Sequence, residues 1–328
     1  MRFLLLLLVA CGGKSEPADT DDSAVDGDAD TDTDTDTDTD TDTDTDTDCA
    51  ILPADNPWNT DISGDAVHQN SAAYVDSIGR NTGLHPDFGT EYAGAPNGIP
   101  FVIVPGDQAT VPVSFNYYDE SDPGPYPIPP NAPIEGGPNG SGDRHVLALD
   151  LDNCVLYELF SAYPQNNGAS WSAGSGAIFD LTTNDLRPDG WTSADAAGLP
   201  IYPGLVRYEE VVIDGVIPHA LRFTVNNSQR AYIHPATHWA SSDTDPNLPP
   251  MGLRMRMKAG YDCSGYASEV QVICTALKTY GMFMADNGSD WYISGAPDDR
   301  WIDDNLRDLR SITGDAFEAV YTGDLVTP

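Results

Sequence analysis

A repeat of threonine and aspartate occupies residues 31–48. It ends an acidic segment that cannot fold, and a segment that can fold follows it. Residues 14–48 carry sixteen acidic side chains, one lysine and no aromatic residue. Such a segment has no apolar surface to bury, so nothing offsets the entropy cost of ordering it. We therefore expect residues 12–48 to form a disordered tether, extended by repulsion between like charges. Calcium binding is the alternative, but a calcium loop usually bends at glycine and the repeat contains none.

The first eleven residues have the pattern of a bacterial lipoprotein signal. Arg2 supplies a positive charge, the residues that follow are apolar, and Ala10 precedes Cys11. In a lipobox this cysteine is lipidated and becomes the mature N-terminus. A membrane-spanning anchor is the alternative, but eight apolar residues are too few for a bilayer that needs about 20. The pattern predicts an exported lipoprotein of the outer membrane or cell surface, which contacts the membrane through its lipid only.

The remaining 280 residues, 49–328, are expected to form a single globular domain with 36 acidic and 13 basic side chains. This charge disfavours nucleic acid as a partner, because phosphates require a basic face. It disfavours an anionic lipid surface for the same reason. Solubility is the simplest explanation of the acidic excess.

Four cysteines lie in the predicted domain. In an exported, oxidising setting they allow two disulfides. Cys263 and Cys274 are close in sequence around the start of a helix, so we pair them, which leaves Cys49 with Cys154. A zinc site is the alternative, but no CxxC spacing occurs.

Short runs of β-branched and aromatic residues, bounded by turn residues, predict a mainly β domain. These runs span 101–106, 111–118, 144–150, 154–160, 219–225 and 230–235. Helices are expected at 71–78, 268–280 and 302–312, and a hairpin is expected at 282–294 with its turn at Asn287 and Gly288. The pattern predicts an antiparallel, β-sandwich-like single domain with a few peripheral helices.

Several strings in the domain resemble a family of uncharacterised secreted bacterial proteins. They include DESDPGPYPIP (119–129), GDRHVLALD (142–150), HPATHWASS (234–242) and YGMFMADNGSDWYISGAP (280–297). The resemblance covers nearly the whole domain from about residue 55 onward. It implies one intact domain, and it brings no activity, substrate or catalytic residue with it.

The hairpin at 144–160 supplies the first candidate site. A two-residue turn sets Leu147 opposite Glu158, so that His145 and Glu158 share a face as diagonal neighbours. If the loop shifts by one residue, Arg144 takes the place of His145. Either pairing suits acid/base catalysis, and an ion pair that only stabilises the sheet is the alternative.

Three histidines supply a second candidate site. If residues 226–229 form a loop, His219 lies diagonal to His234 across a hairpin, and His238 follows four residues later. Histidines gathered in this way could bind zinc or copper. Hydrogen-bonded packing around a turn is the alternative.

A loop rich in proline and glycine, residues 119–143, is the third feature. Proline makes the loop rigid, and a long loop inside a compact domain is usually functional. We expect it to form one wall of a surface groove, where exposed tryptophans would stack on sugar rings. Most of the six tryptophans are nevertheless expected in the core.

These features favour a tethered domain that acts on extracellular polysaccharide, as a hydrolase or lyase using carboxylate and histidine chemistry. The catalytic candidates are His145, Glu158, Arg144 and Arg222, and Arg222 is expected to meet a carboxylate from another strand. A non-catalytic carbohydrate-binding or cell-envelope module is the alternative. A serine hydrolase is disfavoured because no GxSxG motif occurs. The sequence identifies no cofactor. Convergence of the candidates in an open cleft would favour the enzyme, and a sealed network would favour a structural role.

Overall fold

Fifteen short strands carry most of the regular structure of residues 49–328, the part of the chain that the computed structural model describes. The predicted signal, the lipidation site Cys11 and the tether lie outside the described residues. The strands are β1 (His85–Asp87), β2 (Glu91–Tyr92), β3 (Ala95–Pro96), β4 (Phe101–Val104), β5 (Val113–Phe115), β6 (Val146–Asp150), β7 (Val155–Phe160), β8 (Tyr163–Gln165), β9 (Ser170–Ala173), β10 (Ser175–Asp180), β11 (Leu221–Val225), β12 (Arg254–Met257), β13 (Met282–Asn287), β14 (Tyr292–Ser294) and β15 (Phe317–Val320).

Two mixed sheets dominate the fold. The larger has the strand order β1-β14-β11-β13-β12-β15, and the other has the order β10-β7-β6-β4. Two smaller sheets are β2-β3 and β5-β9-β8. The prediction of a mainly β fold is confirmed, but β11 runs parallel to β13 and β4 runs parallel to β6. The sheets are therefore not purely antiparallel, and the sandwich arrangement stays a prediction.

Three α-helices lie at the periphery, α1 (Ser71–Ile78), α2 (Ser268–Thr279) and α3 (Asp303–Leu306). The first two match the predicted helices. α2 buries Val270, Ile273 and Leu277 on one stripe, which explains why the spacing of its apolar residues predicts a helix. The predicted helix at 302–312 is divided, because α3 continues as a 3-10 helix over Arg307–Ser311.

The hairpin formed by β6 and β7 has the predicted register. Leu147 lies opposite Glu158, and Asp150 lies opposite Val155. The two strands run outward from a short turn, so the position and length of the turn determine which residues face each other. This strand pair forms the centre of the second sheet.

The two other predicted hairpins are wrong for a common reason. Phe223 in β11 pairs with Ile293 of β14 on one side and with Met284 of β13 on the other. β11 therefore separates the two strands that were expected to form the 282–294 hairpin. Its two edges are both occupied, so residues 230–235 cannot pair with it, and Tyr232 makes only isolated bridges to Met251 and Val326. A strand such as β11, whose residues are nearly all buried, satisfies its backbone best in the middle of a sheet.

Both predicted disulfides are present. Cys49 is bonded to Cys154 at the turn after β6, and Cys263 is bonded to Cys274 in α2. Residues 49–328 fall within one compact unit. Its interior holds four of the six tryptophans, Trp58, Trp171, Trp291 and Trp301. None of the helices described between residues 49 and 328 is long and apolar enough to cross a membrane.

Candidate functional site

A cavity of about 350 Å³ opens at the end of β13, between the loops that follow β5 and β10. Four carboxylates line it, from Glu120, Asp143, Asp195 and Asp286. The two ends of the proline-glycine loop therefore lie in its wall, because Glu120 and Asp143 bound that loop. Tyr117 stands at the rim with 55% of its surface exposed. The predicted groove wall is present, although its exposed aromatic group is a tyrosine and not one of the buried tryptophans.

Asp286 is the carboxylate best suited to proton transfer. It follows four buried residues of β13, and Oδ1 accepts a hydrogen bond of 2.6 Å from the amide of Asn287. Burial and the negative charge of Asp195 raise the pKa of Asp286 to about 7, against the opposing charges of Arg222 and His145. A carboxyl group with a pKa near neutrality can both give and take a proton at physiological pH.

Arg222 and Asp195 form a bidentate ion pair beneath the cavity. Nη2 of Arg222 donates to Oδ1 of Asp195 at 2.9 Å, and Nε donates to Oδ2 at 3.2 Å. Nη1 donates to the hydroxyl of Ser294 in β14 at 2.6 Å. The predicted carboxylate partner of Arg222 is therefore present, although it comes from a loop and not from a strand. Because this arginine is almost fully buried, it is a supporting group and is closed to large ligands.

His145 is held as a cation next to the cavity wall. Its Nδ1 lies 2.7 Å from Oε2 of Glu135, and its Nε2 lies 3.1 Å from the carbonyl of Ala194. Both neighbours are acceptors, so both ring nitrogens donate. Burial disfavours the charge, but the Glu135 carboxylate and its hydrogen bond outweigh burial and raise the pKa of His145 to about 9. The ring therefore anchors the proline-glycine loop to the sheet.

Glu158 does not pair with His145, which corrects the sequence-based expectation. Its carboxylate accepts hydrogen bonds of 2.9 Å from the backbone amides of Ile201 and Tyr202, and its side chain is 0% exposed. Burial raises the pKa of Glu158 to about 7. Strand register placed the two side chains on one face, but loops supplied each with a closer partner. Glu158 is sealed from the cavity.

Arg144 also has a local structural partner set. Its guanidinium donates to the carbonyls of Gly140 and Ala162 at 2.7 Å and 3.1 Å, and it lies over the ring of Tyr163 at 4.4 Å. These contacts close the end of the proline-glycine loop. The position of Asp143, the next residue toward the cavity, depends on that closure.

The three candidate metal-binding histidines do not converge, because the hairpin that was expected to align them does not form. Each faces a different carboxylate: His219 faces Glu210 at 3.2 Å, His234 faces Asp189 at 2.8 Å and His238 faces Glu120 at 4.0 Å. Among residues 49–328, no group of three or more His, Cys, Asp or Glu side chains is arranged to hold a metal ion. Of the three histidines, only His238 lines the cavity, where its Nδ1 donates to the carbonyl of Ala196.

Sequence reasoning missed the two carboxylates that matter most in this geometry, Asp286 and Asp195. The available signal for Asp286 was a charged residue directly after the buried run at 282–285. Asp195 carried no such signal, because it lies in a loop whose course depends on the tertiary fold. Both carboxylates lie near Arg222, and this proximity arises only in the folded chain.

Comparisons with protein-family models, with curated proteins and with solved structures found no match to this chain. The resemblance to secreted bacterial proteins accordingly stays a prediction. The proposed function therefore depends on the residues that line the cavity.

Proposed function

We propose that residues 49–328 form a polysaccharide hydrolase, tethered outside the cell by a lipid on Cys11, in which Asp286 is the general acid/base and Asp143 is the second carboxylate. The observation that carries the proposal is the presence of both carboxyl groups on one cavity. The charge of Asp143 contributes to the raised pKa of Asp286. Glycoside hydrolysis uses such a pair, one member protonated and the other ionised.

The rest of the cavity suits a sugar. The ring of Tyr117 is exposed at the rim and Phe160 lies in the wall, so apolar sugar faces have aromatic surfaces to contact. Asn287 Nδ2 donates to the carbonyl of Ala240, which orients the amide and leaves Oδ1 without a hydrogen-bond partner among the described residues. That oxygen has almost no accessible surface, so the aromatic side chains are the better-placed contacts for a sugar.

The cavity favours hydrolysis over elimination. A lyase that cleaves uronate chains must neutralise the substrate carboxylate. Arg222 is only 3% exposed and already bonded to Asp195, and Arg187 is bonded to Asp122. The cavity therefore offers no free arginine for that task among its lining residues.

The two disulfides are compatible with an oxidising location outside the cytoplasm. The lipoprotein signal, in residues that the structure does not describe, adds the anchor. A surface position would give the domain access to polymers too large to enter the cell.

The mature full-length protein should be incubated with a panel of neutral, acidic and basic polysaccharides, and its products tested for new reducing ends and for unsaturated ends. We expect new reducing ends without unsaturation. Asp286→Asn should lower turnover by at least ~10²-fold with the fold retained. Asp308→Asn, an exposed carboxylate outside the cavity, is the matched control. Binding without cleavage would leave a carbohydrate-binding module, and unsaturated products would indicate a lyase.

A further inference from the structure

The charge of the cavity wall is not balanced. Arg222 is matched by Asp195, His145 by Glu135 and Arg187 by Asp122, so each of these three buried cations beside the cavity is neutralised by its own carboxylate. Asp143 makes no ion pair with any residue of the described part of the chain. Glu120 has one ion-pair partner among the described residues, His238 at 4.0 Å, and accepts a hydrogen bond of 3.3 Å from the backbone amide of Thr192. The cavity is thus surrounded by carboxylates in excess.

Four polar side chains of the wall already use their hydrogen-bond donors. The hydroxyl of Ser175 donates to the carbonyl of Ser193, that of Ser193 to the carbonyl of Leu199, and that of Thr192 to the carbonyl of Asp195. The amide nitrogen of Asn287 donates to Ala240. What the three hydroxyl groups leave for a ligand are lone pairs.

A ligand that complements this wall must bring positive charge and hydrogen-bond donors. A protonated amine has three N–H donors and no acceptor. Opposite charges attract across a partly desolvated cavity, and a uronate or sulfate would be repelled there. An N-acetyl group brings neither the charge nor the three donors.

We propose that the cavity selects polysaccharides built from amino sugars whose amino groups are free, in preference to the N-acetylated and uronate-containing counterparts. This inference rests on the proposed hydrolase function and specifies its substrate class. The residues that would recognise the ammonium group are Asp143 and Glu120, from the two ends of the proline-glycine loop.

The test uses the mature full-length protein and three probes of equal length: the β-1,4-linked oligomers of glucosamine and of N-acetylglucosamine, and the α-1,4-linked oligomer of galacturonate. Calorimetry at about pH 6, where the amines are protonated, should give at least tenfold tighter binding of the glucosamine oligomer. Cleavage should follow the same order. Added salt should reduce the preference, because it screens charge.

Asp143→Asn should bring the affinities for the glucosamine and N-acetylglucosamine oligomers to within about threefold of each other, while Asp308→Asn should leave the preference unchanged. Equal affinity for these two oligomers in the wild type, or tighter binding of the galacturonate oligomer, would overturn the inference. So would cleavage of neutral polysaccharides without binding of the glucosamine oligomer, and in that case the hydrolase proposal would survive. If the broad panel yields no cleaved polysaccharide, the hydrolase proposal itself fails.

Discussion

Glu158 shows how a charged residue in a strand can be structural. Its carboxyl group lies wholly inside the protein, where two backbone amides at the start of a 3-10 helix replace its water. A buried carboxylate is costly, so the group holds its proton to a pKa of about 7. The contacts join the second sheet to the segment around residue 201.

We predict that Glu158→Gln changes the pH dependence of stability. The folded-state pKa is raised from an ordinary value of 4.5 to about 7, so the contribution to stability is complete below about pH 4.5 and is lost as pH rises to about 7. The loss is about 3 kcal/mol. Glutamine stays neutral, so the variant should be more stable than the wild type at pH 8 and similar at pH 4.5.

Urea unfolding of both proteins at these two pH values measures the effect. Turnover of Glu158→Gln should stay within about threefold of the wild type, because the group is sealed from the cavity. An equal pH dependence in both proteins would show that Glu158 does not titrate in this range. A collapse of turnover in the folded variant would restore it as a catalytic candidate.

For Asp286 we predict a pH dependence of the catalytic rate. If it acts as the general acid with a pKa of about 7, kcat/KM of the wild type should fall about tenfold for each pH unit above that value. The measurement is a pH profile of kcat/KM on the best substrate of the panel. A rate that rises through neutral pH would instead assign Asp286 the role of base.

At the scale of elements, the position of β11 creates the site. Because this strand lies between β13 and β14, Arg222 of β11, Asp286 of β13 and Ser294 of β14 meet at one end of the sheet. The loop bearing Asp195 then closes over Arg222. β11, which is distant in sequence from β13 and β14, therefore completes one cluster with them.

We predict that Arg222→Met destabilises the domain by about 3–5 kcal/mol, because it leaves the carboxylate of Asp195 buried without its cation. Adding Asp195→Asn should recover part of that loss, since a neutral amide costs less to bury. Denaturant midpoints of the two variants and the wild type measure both changes. If the double variant were less stable than Arg222→Met, the ion-pair explanation would be rejected.

At the scale of the whole molecule, no helix described between residues 49 and 328 is able to cross a membrane. The anchor that we propose is the N-terminal signal, in which Cys11 is the predicted lipidation site. The disulfide between Cys49 and Cys154 secures the first described residue to the second sheet.

Cys11→Ser should therefore release the protein from the membrane fraction with the domain intact, since each buried methylene of the lipid contributes about 0.8 kcal/mol to anchoring. Fractionation followed by immunoblotting tests the location, and circular dichroism of the released protein tests the fold. Retention of the variant at the membrane would contradict the lipid anchor.

Local features of the fold could be predicted from the sequence alone. The register of β6 and β7 follows from the position of the short turn between them, and α1 and α2 follow from apolar residues at helical spacing. The two disulfides followed from the number and spacing of four cysteines. Each of these depends on residues whose positions are constrained by nearby chain.

The residues of the candidate site are brought together only when the whole chain is folded. Both strands flanking β11 come from more than 55 residues later in the chain, and no local pattern encodes that choice. The same holds for His145, which turns to Glu135, and for Asp195, which turns to Arg222. A strand's periodicity states which face a side chain occupies, whereas the partner it finds there depends on which strand or loop packs against that face.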